Sequence, residues 1–150
     1  MVRFPATWVL VADSARARIF SWSDFQGPLV EERDLANPEG RRRDRDLSAD
    51  RPGVTYSSGG HHSAHRMQSS TVADTAVDTF ARTLADELKS GLDGRRCERL
   101  VLVAPPEFLG RVRSHLDRRT EKAVAESLAS DLSRETPEAI FSRLPRLSNL

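Results

Sequence analysis

Cys97-Glu98-Arg99-Leu100-Val101-Leu102-Val103-Ala104-Pro105-Pro106 decides the fold of this chain. The unbroken apolar run Leu100 to Ala104 suits a short strand buried on both faces and is far too short to span a membrane. Pro105 and Pro106 end it, because neither can donate to a sheet ladder, and Pro106 is well placed to start a helix. Glu107-Phe108-Leu109-Gly110 then reads as the first turn of a helix running to about His115. A buried strand that passes through a proline stop into a helix is half of a βαβ unit, so part of the sheet is parallel.

Upstream, Thr7-Trp8-Val9-Leu10-Val11-Ala12 is another apolar, β-rich run and reads as a central strand. Asp13-Ser14-Ala15 follows as a tight polar turn, since Asp and Ser side chains can bond the backbone two residues on. Arg16 to Trp22 alternates, with Arg16, Arg18, Phe20 and Trp22 on one side and Ala17, Ile19 and Ser21 on the other, which predicts a strand with one partly wet face. After the turn Phe25-Gln26-Gly27-Pro28, a third strand starts at Leu29 and is stopped by Asn37-Pro38-Glu39-Gly40. Three strands joined by short turns make an antiparallel meander.

From Thr71 the period changes. Val72, Ala76, Val77, Phe80, Leu84 and Leu88 recur every three or four residues, which predicts an amphipathic helix lying across the sheet, with Gly91 as the residue that ends it. Residues 116–133 fit either a helix or a strand. Pro137 opens a last short helix with Ala139, Ile140, Phe141 and Leu144 on its apolar face; Pro145 closes it, leaving a loose tail. The expected architecture is one α/β domain over residues 1–150 on a mixed sheet of about five strands. A chain of 150 residues suits one domain and buries roughly 68–70% of its unfolded surface. With aromatics at 6%, its core is built mainly of Val, Leu and Ala.

Between the third strand and the long helix, residues 38–70 lack a hydrophobic pattern and are expected to form a long, flexible polar loop. Arg41-Arg42-Arg43-Asp44-Arg45-Asp46 sets four arginines against two aspartates, which is either a solvated run or a binding surface. Net charge is only +1, which excludes a strong whole-protein field toward nucleic acid or membrane. Of the 23 cationic residues only Lys89 and Lys122 are lysines, a bias that suits bidentate phosphate or carboxylate contacts but also follows from genome base composition. The apolar run Trp8–Ala12 is too short for a signal-peptide core, and the expected location is the cytoplasm. Cys97 is the one cysteine and reads as a packed thiol beside the buried strand.

Four segments resemble the bacterial host-attachment protein family: residues 7–20 around Asp13, Asp46-Leu47-Ser48-Ala49-Asp50-Arg51-Pro52-Gly53, Leu100–Pro106 with Phe108-Leu109-Gly110, and Ser130-Asp131-Leu132-Ser133. They occur in the family order and span most of the chain. The resemblance implies a role in attaching a bacterium to host cells. Asp46, Asp50, Arg51, Pro52 and Gly53 would anchor one end of the loop to the domain, with a buried Asp50–Arg51 pair as the structural alternative. The family is similar in layout to the middle domain of archaeal and eukaryotic peptide release factors, a ribonuclease-H-like arrangement, which implies a strand at residues 122–129. In those factors a Gly-Gly-Gln loop precedes the long helix. Here Gly59-Gly60-His61 stands in the comparable place, with His61 where Gln is required, so peptide release is not implied.

Other chemistries need residue sets that this sequence supplies only in part. A two-metal nuclease needs carboxylates converging at strand ends; Asp13, with Asp74 or Asp78, could begin such a set, but Ala104-Pro105-Pro106 stands where another carboxylate is wanted. His61, His62 and His65 suit zinc or nickel in type, yet no cysteine or carboxylate supports them, and no cofactor is expected. Asp13 either caps its turn or borders a crevice with Ala104 and Pro105 at the strand ends, where open α/β sheets bind ligands. The expected function is that of a non-enzymatic interaction protein with an unnamed protein partner. The alternative is a ribosome- or tRNA-binding factor using Arg41–Arg51 on phosphates and Gly59–Gly60 as a probe, without membrane insertion.

Overall fold

The computed structural model describes residues 3–40 and 60–144. It contains β1 (Thr7–Ala12), β2 (Arg16–Trp22), β3 (Val30–Ala36), α1 (Gly60–Asp93), β4 (Arg99–Ala104), α2 (Pro106–Ser114), α3 (Arg118–Ala123), β5 (Val124–Ala129) and α4 (Pro137–Arg143). The strands form one sheet in the order β3-β2-β1-β4-β5. β1 pairs antiparallel with β2 and parallel with β4, so the meander and the βα half meet along β1, with Val9 opposite Val101 and Leu10 opposite Leu102. This is the mixed five-strand α/β sheet that the sequence predicts.

Every residue of β1 and β4 is buried because helices or loops cover both sides of the sheet. On one face Trp8, Leu10, Ala17, Ile19, Leu100 and Leu102 pack under α1 and α2 through Val77, Phe80, Leu84, Leu88, Phe108 and Val112. On the other, Val9, Val11, Phe20, Val101 and Val103 pack under Leu132, Ile140 and Leu144. Each fully buried Val, Leu or Phe contributes roughly 1.5–3 kcal/mol by leaving water. The free Cys97 thiol is packed into the first of these clusters.

The second cluster corrects the expectation of a wet face on β2. Phe20 and Trp22 are buried, and so is Arg18, because the segment after β5 folds back across that side. The ambiguous stretch also resolves. Asp117 caps α3 by accepting the Thr120 backbone N–H at 2.7 Å, and the chain then enters β5 as an edge strand parallel to β4. Strand 122–129 therefore starts at Val124, with Lys122 and Ala123 ending the helix. α4 starts at Pro137 as expected, with Thr136 Oγ1 accepting the Ala139 backbone N–H at 3.1 Å.

α1 departs from the expected start near Thr71: its backbone is helical from Gly60. The apolar period fails there because the sequence supplies little to bury before Val77, and Val72 itself is exposed. Propagation onto a helix already held by a packed segment costs little, so regular backbone can extend beyond the pattern that identifies it. Its end also differs. Gly91 lies inside the helix, and the chain leaves it through Arg95 at φ 59°. The Arg96 N–H bonds to Gly91 O at 2.9 Å and the Arg95 N–H to Leu92 O at 3.1 Å, the paired bonds of a Schellman cap.

Candidate functional site

Three of the four family-like segments meet at one end of the sheet, where β1, β4 and β5 finish. Asp13 lies at their centre. Its Oδ1 accepts the backbone N–H groups of Ala15 and Arg16, both at 2.8 Å, closing the turn into β2. Its Oδ2 lies 2.8 Å from the Ser133 hydroxyl. The same hydroxyl is 2.8 Å from Asp131 Oδ1, and its single proton serves one carboxylate at a time. Ser130 N–H bonds to Ala104 O at 2.9 Å, so residues 130–133 bridge the ends of β1 and β4 where a crevice was expected.

Arg18 locks this bridge from below. Its Nη1 donates to Ser133 O at 3.2 Å and to Glu135 O at 2.6 Å, and its Nη2 to Glu31 Oε1 at 2.9 Å. A buried guanidinium satisfied by two carbonyls and a carboxylate holds its partners firmly, because losing any acceptor strands charge out of water. On the opposite side the turn is gripped by the end of β3. Asn37 N–H bonds to Ala15 O at 2.8 Å, and Asn37 Nδ2 to Ser14 O at 2.9 Å. Gly40 then runs so close to Ser14 that a β-carbon on it would fall 1.9 Å from Ser14 O. Gly40, the last described residue before Arg41, therefore lies against the Asp13 turn.

Asp74 and Asp78 do not join Asp13. Asp78 Oδ1 is 2.9 Å from His115 Nε2 and 3.8 Å from Arg111 Nη1, tying α1 to α2. The His115 hydrogen bond holds the Asp78 carboxyl below its ordinary value. Asp74 stands 3.8 Å from Arg111 Nη2. Among the described residues no three His, Cys, Asp or Glu side chains are placed to hold a metal.

Of the other expected site residues, Gly60 and His61 lie on the backbone of α1 rather than in a loop. Arg41, Arg42, Arg43, Arg45, Asp46, Asp50, Arg51, Gly53 and Gly59 lie outside the described residues, as does any Asp50–Arg51 pair. The sequence does not reveal Ser133 as a partner of Asp13, nor Arg18 and Asp131 as partners of Ser133. The usable signal was the Ser130–Ser133 segment, but its contact with residue 13 bridges a separation of 120 positions that no local pattern reveals.

A family model described as "Protein required for attachment to host cells" matches residues 8–144. The chain belongs to this family. The match takes in the whole Asp13 constellation, from β1 through the Ser130–Ser133 bridge to α4. No curated protein matches the sequence. Among solved structures, the chain is similar to the crystal structure of archaeal translation termination factor aRF1, at 13% identity and a TM-score of 0.49. That likeness covers 81% of this chain and 29% of the other. No helix among the described residues is long and apolar enough to cross a membrane.

Proposed function

We propose that the chain serves attachment to host cells as a non-enzymatic, cytoplasmic interaction protein that binds a protein partner at the Asp13 end of the sheet. The family match over residues 8–144 is the observation that carries the proposal. The geometry supports a binding role over a catalytic one, because the polar groups of Asp13, Arg18 and Ser133 are engaged with one another and with backbone. In this reading they hold a rigid platform, and the arginines from Arg41 to Arg51, which follow directly on Gly40, supply charged contacts. Arginine forks suit carboxylate-rich partners. No contact among the described residues favours the ribosome or tRNA as that partner.

The test is an adhesion assay with a strain lacking the gene. Attachment is expected to fall and to be restored by the wild-type chain, but not by one in which Arg41, Arg42, Arg43 and Arg45 are replaced by Ala. Undiminished attachment of the deletion strain overturns the reading. Fractionation that recovers the protein on the cell surface overturns the cytoplasmic placement.

A further inference from the structure

At the opposite end of the sheet, where β1 and β4 begin, a cleft of about 640 Å³ opens between the end of α1, the β4 entry and α3. Its volume is within the range of sites that take small organic ligands. Ala6, Leu92, Cys97 and Ala123 supply apolar lining, and Arg95, Arg119 and Lys122 supply charge. Among the described residues Glu98 is the one carboxylate in the lining. It is already engaged: Arg3 donates to both its oxygens, at 2.8 and 2.9 Å, and this pairing holds its carboxyl below the ordinary value.

The cations are not equivalent. Arg119 is tied to Asp93 and donates weakly to Leu92 O at 3.5 Å. Among the described residues, the side chains of Arg95 and Lys122 have no hydrogen-bond or ion-pair partner. The cleft therefore carries two uncompensated positive charges beside an apolar wall. Helix C-termini favour cations by themselves, but here the carbonyls of Gly91 and Leu92 are already capped by the backbone N–H groups of Arg96 and Arg95. Lys122 stands in the last turn of α3, where the helix end favours a cation, but its ammonium has no protein partner among the described residues. Arg95 occupies a left-handed position at φ 59°, where glycine is the unstrained choice.

We propose that this cleft binds a small phosphate monoester, with the phosphate between Arg95 and Lys122 and the organic body against Leu92 and Ala123. A phosphate monoester carries about −1.5 to −2 charges at neutral pH, which matches the two free cations. An arginine fork and a lysine point charge are complementary ways to hold its oxygens. The site is separate from the Asp13 platform and does not depend on the attachment reading.

Calorimetric titration of the full chain with adenosine monophosphate, used as a probe with a flat organic body, tests the assignment against inorganic phosphate at low and high salt. Saturable one-to-one binding of the monophosphate is expected, at least tenfold tighter than inorganic phosphate and weaker at high salt. Lys122→Ala and Arg95→Gly should each weaken it tenfold or more, whereas Arg33→Ala, distant on β3, should not. Arg95→Gly suits the left-handed backbone, so loss of binding in that variant cannot be ascribed to unfolding. No saturable heat at millimolar ligand, affinity unchanged in both cleft variants, or equal affinity for inorganic phosphate overturns the proposal.

Discussion

Gly91 and Trp8 are in van der Waals contact across the helix–sheet interface, and a β-carbon on Gly91 would stand 2.4 Å from Trp8 Cζ3. The indole is buried between the sheet and α1 and has little room to withdraw. Gly91→Ala should therefore overpack the core and destabilise the fold by about 1–3 kcal/mol, more than offsetting the gain in helix propensity. Urea denaturation monitored by tryptophan fluorescence checks this, and an alanine variant as stable as the parent would mean that α1 can lift from the sheet.

Asp13 supports two backbone N–H groups and the Ser133 hydroxyl. Replacing it with Ala should cost about 1–3 kcal/mol, because those donors lose their acceptor in a largely covered site. Ser133→Ala should cost about 1 kcal/mol, and the double variant less than the sum, since the two share a bond. Strict additivity in denaturant midpoints would show that the two residues act independently.

The Asp78 carboxyl is held below its ordinary value first by the His115 hydrogen bond, then by nearby Arg111 and Arg82. A carboxyl depressed in the folded state binds fewer protons than in the unfolded chain as the pH approaches its unfolded value. Its stabilising effect is thus full above about pH 4–5 and is lost as the pH falls through the lower folded value. Asp78→Asn should flatten the acid limb of the stability curve. Matching acid limbs in parent and variant would remove the α1–α2 clasp from the account.

Arg95→Gly should raise stability by about 0.5–1 kcal/mol, because glycine adopts the left-handed cap without the β-carbon clash. A thermal melt is sufficient to see it. A fall in melting temperature would show that the arginine side chain contributes more to the fold than its backbone position costs.

Burial pushes the Cys97 thiol up to about 11. At pH 8 roughly one thiol in a thousand is then ionised, so alkylation of the native protein should be slow and should accelerate sharply in denaturant. Rapid native-state labelling with iodoacetamide at pH 8 would contradict that packing.

How much could be read in advance followed from how local each cause was. β4 was legible because burial on both faces leaves an unbroken apolar run between a charged entry and a proline stop. The α4 start was legible because Thr136 and Pro137 signal it within two residues. The face of β2 was misread because its cover, Leu132 to Leu144, comes from the far end of the chain. Gly91 looked like a helix stop because its reason for being small is an indole on another element. Asp13 was visible as a turn residue, while its partnership with Ser133 depends on the parallel placement of β1 and β4.

That parallel placement also bears on how the chain folds. Arg99 Nε donates to Thr7 Oγ1 at 2.7 Å, a contact between residues 92 positions apart. The β1–β2–β3 meander needs only short loops to close, whereas the β1–β4 ladder must wait until most of the chain has been gathered in. Loop-closure entropy rises slowly with length, so the gap can vary at small cost to native stability. The central ladder therefore carries the larger closure cost, and the flank of β1 stays open until β4 pairs with it.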